Sequence, residues 1–149
     1  MIKPLNKIFI LALISLILVF STMITGRSIT ATRQGISCTE WPLCPNGFLL
    51  PTPKLLNENI HRFLAIVTAS IIATITIILH RKRSAHTKTA ALALTFILLE
   101  IFIGMVVVYM KLQSLIVAIH LSNGVIVFAI TILLMVSYRK LREVIADRH

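Results

Sequence analysis

Apolar positions in this chain neither alternate nor recur every third or fourth residue; they run almost unbroken through residues 8–25, 58–79, 89–110 and 114–138. A helix needs about 20 such residues to cross a hydrocarbon layer, and these stretches are close to that length. Polar punctuation closes them. Lys3 and Lys7 precede the first, His80-Arg81-Lys82-Arg83 ends the second, Lys111-Leu112-Gln113 divides the third from the fourth, and Arg139-Lys140 follows the fourth. Connections this short force neighbouring helices to run antiparallel. The pattern predicts an all-α, integral membrane four-helix transmembrane bundle. It forms one domain over residues 1–149, with a long loop at 26–57 between the first two helices.

Composition agrees: 57% of residues are hydrophobic and 13% charged, against about 45–50% apolar in soluble domains. The net charge of +10 changes the picture only through its placement. Lys3, Lys7, Arg81, Lys82, Arg83, Lys88, Arg139, Lys140, Arg142 and Arg148 lie before the first run, between the second and third, or after the fourth. That is the positive-inside bias of a membrane protein. It predicts a multi-pass protein of the cell (plasma) membrane, with both termini cytoplasmic and loop 26–57 extracytoplasmic. No basic face interleaved with aromatics suggests a nucleic-acid partner; the lipid bilayer is the expected surrounding. The first run has the basic start of a signal peptide. It lacks a small-x-small cleavage site directly afterwards, so an uncleaved anchor is expected.

Loop 26–57 carries Trp41, both cysteines and four of the five prolines (Pro42, Pro45, Pro51, Pro53). Loops of this length usually either work or are disordered. Cys38 and Cys44 sit on the predicted outer face, where disulfides persist, so a small disulfide-closed ring is expected. Spacing does not decide whether it is structural or redox-active. Trp41 suits an interfacial anchor.

Two histidines fall inside the apolar runs. His61 lies about one turn into the second, and His120 is about 9 Å into the fourth at 1.5 Å per residue. Antiparallel packing brings these helix ends to the same side, at similar depth. Two neutral imidazoles facing each other across a bundle suit a six-coordinate haem iron. Ala65, Ala69 and Gly124 leave flat space beyond them. The competing reading is a pair of hydrogen-bonded core histidines, and a zinc site lacks an obvious third ligand. Glu58 is three residues before His61 and shares its helical face. It can take a proton or stabilise positive charge developing on a substrate; equally, it can pair with Arg62 or cap the helix. Arg62 can reach a haem propionate or merely snorkel. Glu100, near the middle of the third run, must be protonated or hydrogen-bonded inside the bundle. It reads as part of a proton path, a cofactor contact, or an acid bonded to a neighbouring helix. Gly104 reads as close helix packing.

The segments Cys38-Thr39-Glu40-Trp41-Pro42-Leu43-Cys44, Glu58-Asn59-Ile60-His61-Arg62 and Ala118-Ile119-His120-Leu121 resemble the haem A synthase family. That family has a Cys…Trp-Pro-x-Cys loop, a Glu-x-x-His-Arg entry to the second helix and a His-Leu in the fourth. Leu99-Glu100-Ile101-Phe102-Ile103-Gly104 fits its Gln-x-x-x-Gly pattern, with glutamate replacing glutamine. The resemblance implies oxidation of the C8 methyl of haem O to a formyl group. This proceeds by two successive hydroxylations and loss of water, giving haem A for terminal oxidases. It implies His61 and His120 as haem-iron ligands, Glu58 as the catalytic acid residue beside the methyl, and Cys38 with Cys44 as the outer-loop disulfide. The implied cofactors are haem B and/or haem O/A, with iron. The implied partners are haem O as substrate, an electron donor and a haem O synthase. Typical members have eight spans in two such bundles, so this chain reads as a half-length member and a homo-oligomer is expected. The same two histidines would also serve a non-enzymatic membrane b-type cytochrome or haem carrier, which has no need of Glu58. A thiol oxidoreductase using Cys38 and Cys44 would explain neither histidine.

Overall fold

The computed structural model describes residues 7–32, 40–42 and 53–146. Four helices account for nearly all of them: α1 Lys7–Ala31, α2 Pro53–Arg81, α3 Thr87–Tyr109 and α4 Ser114–Ala146. Each contains a segment long and apolar enough to cross a membrane, and in α4 that segment ends at Arg139. No strand occurs among the described residues.

The helices stand at the corners of a square. α1 packs on α2 and α4, and α3 packs on α2 and α4. Among the described residues, neither diagonal pair, α1 with α3 or α2 with α4, comes into backbone contact. The middle of the square is filled from one end by two clusters of side chains. Ile8 and Ala12 of α1, Ile75 and Leu79 of α2, Ala90 of α3 and Leu134 of α4 form the first. The next layer is built on Val19, Ile72, Ala93, Ile97, Val127 and Ile130. The start of α1 and α3 meets the end of α2 and α4 in the first cluster, so neighbouring helices are antiparallel, as the short turns predict.

The exterior is apolar as well. Ile17, Phe20, Phe63, Ile77, Leu98, Phe102, Leu133 and Val136 are all more than half exposed, which suits a hydrocarbon surrounding rather than water. Lipid tails are as apolar as these side chains, so close packing and polar contacts decide how the helices meet. The buried hydroxyls of Ser15, Thr68 and Thr131 are satisfied within their own helices, donating to the carbonyls of Leu11, Leu64 and Val127 at 2.9, 2.6 and 2.7 Å.

Helix ends differ from the sequence expectation most around the first connection. Residues 26–31 and 53–57 were expected in the loop, but they belong to α1 and α2. Gly26 stays helical because its missing Cβ lets a neighbouring side chain pack on it, and Ile29 one turn later is buried. Pro53 opens α2, a position where a proline's missing N–H breaks no helical bond. The connection is therefore at most 32–52, of which Thr32 and Glu40–Pro42 are described. Cys38 and Cys44 lie outside the described residues. The α3–α4 turn is tight because Lys111 and Leu112 both adopt left-handed φ values of 51° and 61°. The Leu112 N–H donates to the Val107 carbonyl at 3.0 Å.

Candidate functional site

Beyond the second cluster, toward the connection between α1 and α2, the square is not filled. A cavity of about 180 Å³, partly open to the outside, occupies that end. All four helices line it, and Trp41 and Pro42 border it from the connection. Glu58, His61, Arg62, Glu100 and His120 all face it. His61 and His120 are 59 positions apart in the sequence, and the fold brings both to one chamber. They belong to α2 and α4, the pair on a diagonal of the square. Measured from the helix starts at Pro53 and Ser114, they are about 12 and about 9 Å in. The earlier start of α2 puts His61 deeper than one turn, and the match in depth is retained.

The two rings are held differently. His61 Nδ1 lies 2.9 Å from the carbonyl oxygen of Thr22 and 3.3 Å from the hydroxyl of Thr25. A carbonyl only accepts, so Nδ1 carries the proton and Nε2 keeps the lone pair, the form in which imidazole binds a metal. Gly26 makes this seat possible: a Cβ there would lie 2.9 Å from His61 Cε1. His120 Nδ1 instead lies 3.1 Å from Oε1 of Glu100, off the direction of a good hydrogen bond, and it has no other partner. Gly104 gives its ring room, with a virtual Cβ 3.3 Å from Cε1. Glu100 is fixed in turn. Asn123 on α4 donates to its Oε2 at 2.7 Å and to the Phe96 carbonyl at 3.1 Å. Gly124, expected as flat space beyond His120, leaves room for Glu100, whose Oε1 would be 2.9 Å from a Cβ there. Ala65 does line the cavity, whereas Ala69 packs against the second cluster.

Glu58 is 5% exposed. Its Oε2 is 3.9 Å from Arg62 Nη2, a loose pair one helical turn apart. α2 begins five residues earlier, so Glu58 does not cap it. Arg62 Nη1 donates to the carbonyls of Glu40 at 2.7 Å and Pro42 at 3.2 Å. This straps the connection across the cavity mouth and places Trp41 on its wall. The guanidinium has five N–H donors, so the strap does not exhaust it. Asn123, Thr22 and the seat at Gly26 were missed from sequence. An asparagine three residues after a membrane histidine was the available signal for the first; a backbone carbonyl leaves no signal at all.

The comparisons with known proteins bear on this arrangement. Residues 51–149 match the model of the COX15-CtaA family, described as cytochrome oxidase assembly protein. The chain belongs to the COX15-CtaA family. It is 31% identical over 139 residues to the Heme A synthase of Exiguobacterium sibiricum, a match covering 84% of this chain and 46% of that protein. The chain thus spans about half the length of the curated relative it matches. The segment matched to the COX15-CtaA model contains α2, α3 and α4, and with them Glu58, His61, Glu100 and His120.

A haem is the group this family implies, and the residues fit it. Two imidazoles reach one apolar chamber from diagonal helices, one with Nδ1 committed and Nε2 free to ligate. The other has a buried Nδ1 beside a carboxylate.

Proposed function

We propose that this protein acts in haem A synthesis, oxidising the C8 methyl of haem O to a formyl group by two successive hydroxylations followed by loss of water. The observation that carries the reading is the meeting of His61, His120 and Glu58 in one cavity between α2 and α4. The family and the Heme A synthase relative support it. His61 and His120 would hold haem iron, His61 through the Nε2 left free by the contact of its Nδ1 with the Thr22 carbonyl. Bound haem supplies the iron-centred redox chemistry. Glu58, buried on the cavity wall one turn before His61, takes up or returns a proton, or stabilises positive charge developing at the substrate methyl. Arg62 offers its remaining N–H groups to a propionate at the mouth while holding residues 40–42 across it. A farnesylated substrate is strongly apolar, and a chamber inside a membrane bundle shields it from water.

In this reading the end carrying Lys7, Arg81–Arg83 and Arg139 is cytoplasmic, by the charge bias, and the cavity end faces outward in the cell membrane. An outer-loop disulfide between Cys38 and Cys44 belongs to this reading. A homo-oligomer belongs to this reading, since a two-fold assembly would repeat the bundle and its site. An electron donor and a haem O synthase are its functional partners.

The test is to express the chain in a host that makes haem O, purify it and extract its pigments. Haem O or haem A in the extract supports the synthase. Haem B alone, with conversion unaffected by Glu58→Ala, identifies an electron carrier or haem-binding protein instead.

A further inference from the structure

We propose that Glu100 is the positioning residue of His120, held in place by Asn123 and Gly124, and that it makes the two histidines unequal as ligands. The inference rests on the reading above, in which both imidazoles bind haem iron.

Three contacts converge on Glu100. Its Oε1 is 3.1 Å from His120 Nδ1. Its Oε2 accepts from Asn123, which is itself buried and anchored on the Phe96 carbonyl. The absence of a side chain at Gly124 leaves the space that Oε1 fills. A carboxylic group near the middle of a membrane helix is costly, on the order of 3 kcal/mol if charged. One that merely needed a partner would be satisfied by Asn123 alone. Here Asn123 takes one oxygen and leaves the other aimed at a buried imidazole nitrogen that has no other partner. The 3.1 Å contact falls short of hydrogen-bond geometry, and the ring packs directly on Gly104, where a Cβ would lie 3.3 Å from Cε1. Ligation through Nε2 fixes the proton on Nδ1 and so creates the donor that Glu100 lacks a good line to. Carboxylates in this relation to a ligating histidine lock its orientation and raise its basicity.

The first hairpin provides the control. Thr22 and Gly26 are spaced as Glu100 and Gly104 are: four residues, one turn, on the helix facing the histidine. There the partner of Nδ1 is a neutral backbone carbonyl. A carboxylate donates more electron density through imidazole than a carbonyl does, so His120 favours ferric over ferrous iron more strongly than His61.

The experiment is a potentiometric titration of the purified haem-loaded protein followed by its visible spectrum. Glu100→Gln keeps shape and hydrogen bonding while removing the acid. It is expected to favour the ferrous form by about tenfold, a rise of about 59 mV for one electron. Gly124→Ala, which displaces Oε1, is expected to move the potential the same way. Ser70→Ala, an exposed change on α2 away from the cavity, is expected to titrate as the parent does. Glu100→Gln and Gly124→Ala both titrating with the parent, while His120→Ala loses the low-spin spectrum, overturns the role of Glu100 and leaves the haem site standing. A colourless parent protein, or a low-spin spectrum that survives His120→Ala, overturns the haem reading itself.

Discussion

The α1–α2 and α3–α4 hairpins present their histidines in nearly the same way and partner them with different chemistry. In each, a glycine on the first helix seats the ring: Gly26 for His61 and Gly104 for His120. In each, the residue one turn before that glycine faces Nδ1, as a backbone oxygen of Thr22 in one and a side-chain oxygen of Glu100 in the other. The second carboxylate is offset too. Glu58 precedes His61 by three residues on the same helix, and the position three before His120 is Val117, which also lines the cavity. Both acids line the chamber, but Glu58 stands one turn before His61 on the same helix, whereas Glu100 comes from the neighbouring helix and faces Nδ1 of His120. A shared scaffold accounts for the matched rings, and under the proposals above the placement of the acids would separate a reacting side from a tuning side.

The sharpest way to test that separation is at Glu58 and Val117. Glu58→Ala is expected to lower conversion of haem O about 10²–10⁴-fold, the usual contribution of a proton-transfer group. Val117→Ala should leave conversion within a few fold, measured as haem A per bound haem. Equal losses from both would erase the distinction between the hairpins.

Next in size are the ring seats. Gly26→Ala puts a methyl 2.9 Å from the His61 ring, closer than real Cβ contacts come, whereas Gly104→Ala meets His120 at 3.3 Å. Haem content per protein should fall about tenfold for Gly26→Ala, in the range of lost orienting contacts around a metal, and clearly less for Gly104→Ala. The reverse order would show that the two seats are not built as described.

The smallest effect is expected at Thr25. Its hydroxyl is 3.3 Å from His61 Nδ1 and also donates to the carbonyls of Ser21 and Thr22. Thr25→Val should leave haem content unchanged and shift thermal unfolding in detergent by no more than about 1 kcal/mol. A large loss of haem would mean the hydroxyl, rather than the Thr22 carbonyl, orients His61.

Much of this was legible before the fold. Long apolar runs give four membrane-length helices whatever their detailed packing, and short basic or polar turns give the antiparallel order. The meeting of His61 and His120 in one chamber was suggested by their similar depth, and the shared face of Glu58 and His61 by the helical repeat. Helix ends were less legible, because residues 26–31 look polar and glycine-led, and only tertiary contacts keep them helical. Glu100 was seen to need a partner, but Asn123 was not found, since the facing helix could present several side chains at that level. The strap from Arg62 to residues 40–42 ends on carbonyls, which every residue has and no sequence pattern marks.

The central claim is that His61 and His120 grip one haem iron from the diagonal helices α2 and α4. It is tested most directly by the visible spectrum of the purified protein beside His61→Ala and His120→Ala. The account predicts a coloured, low-spin parent whose low-spin bands are lost in each variant. Bands that persist in both variants would contradict it.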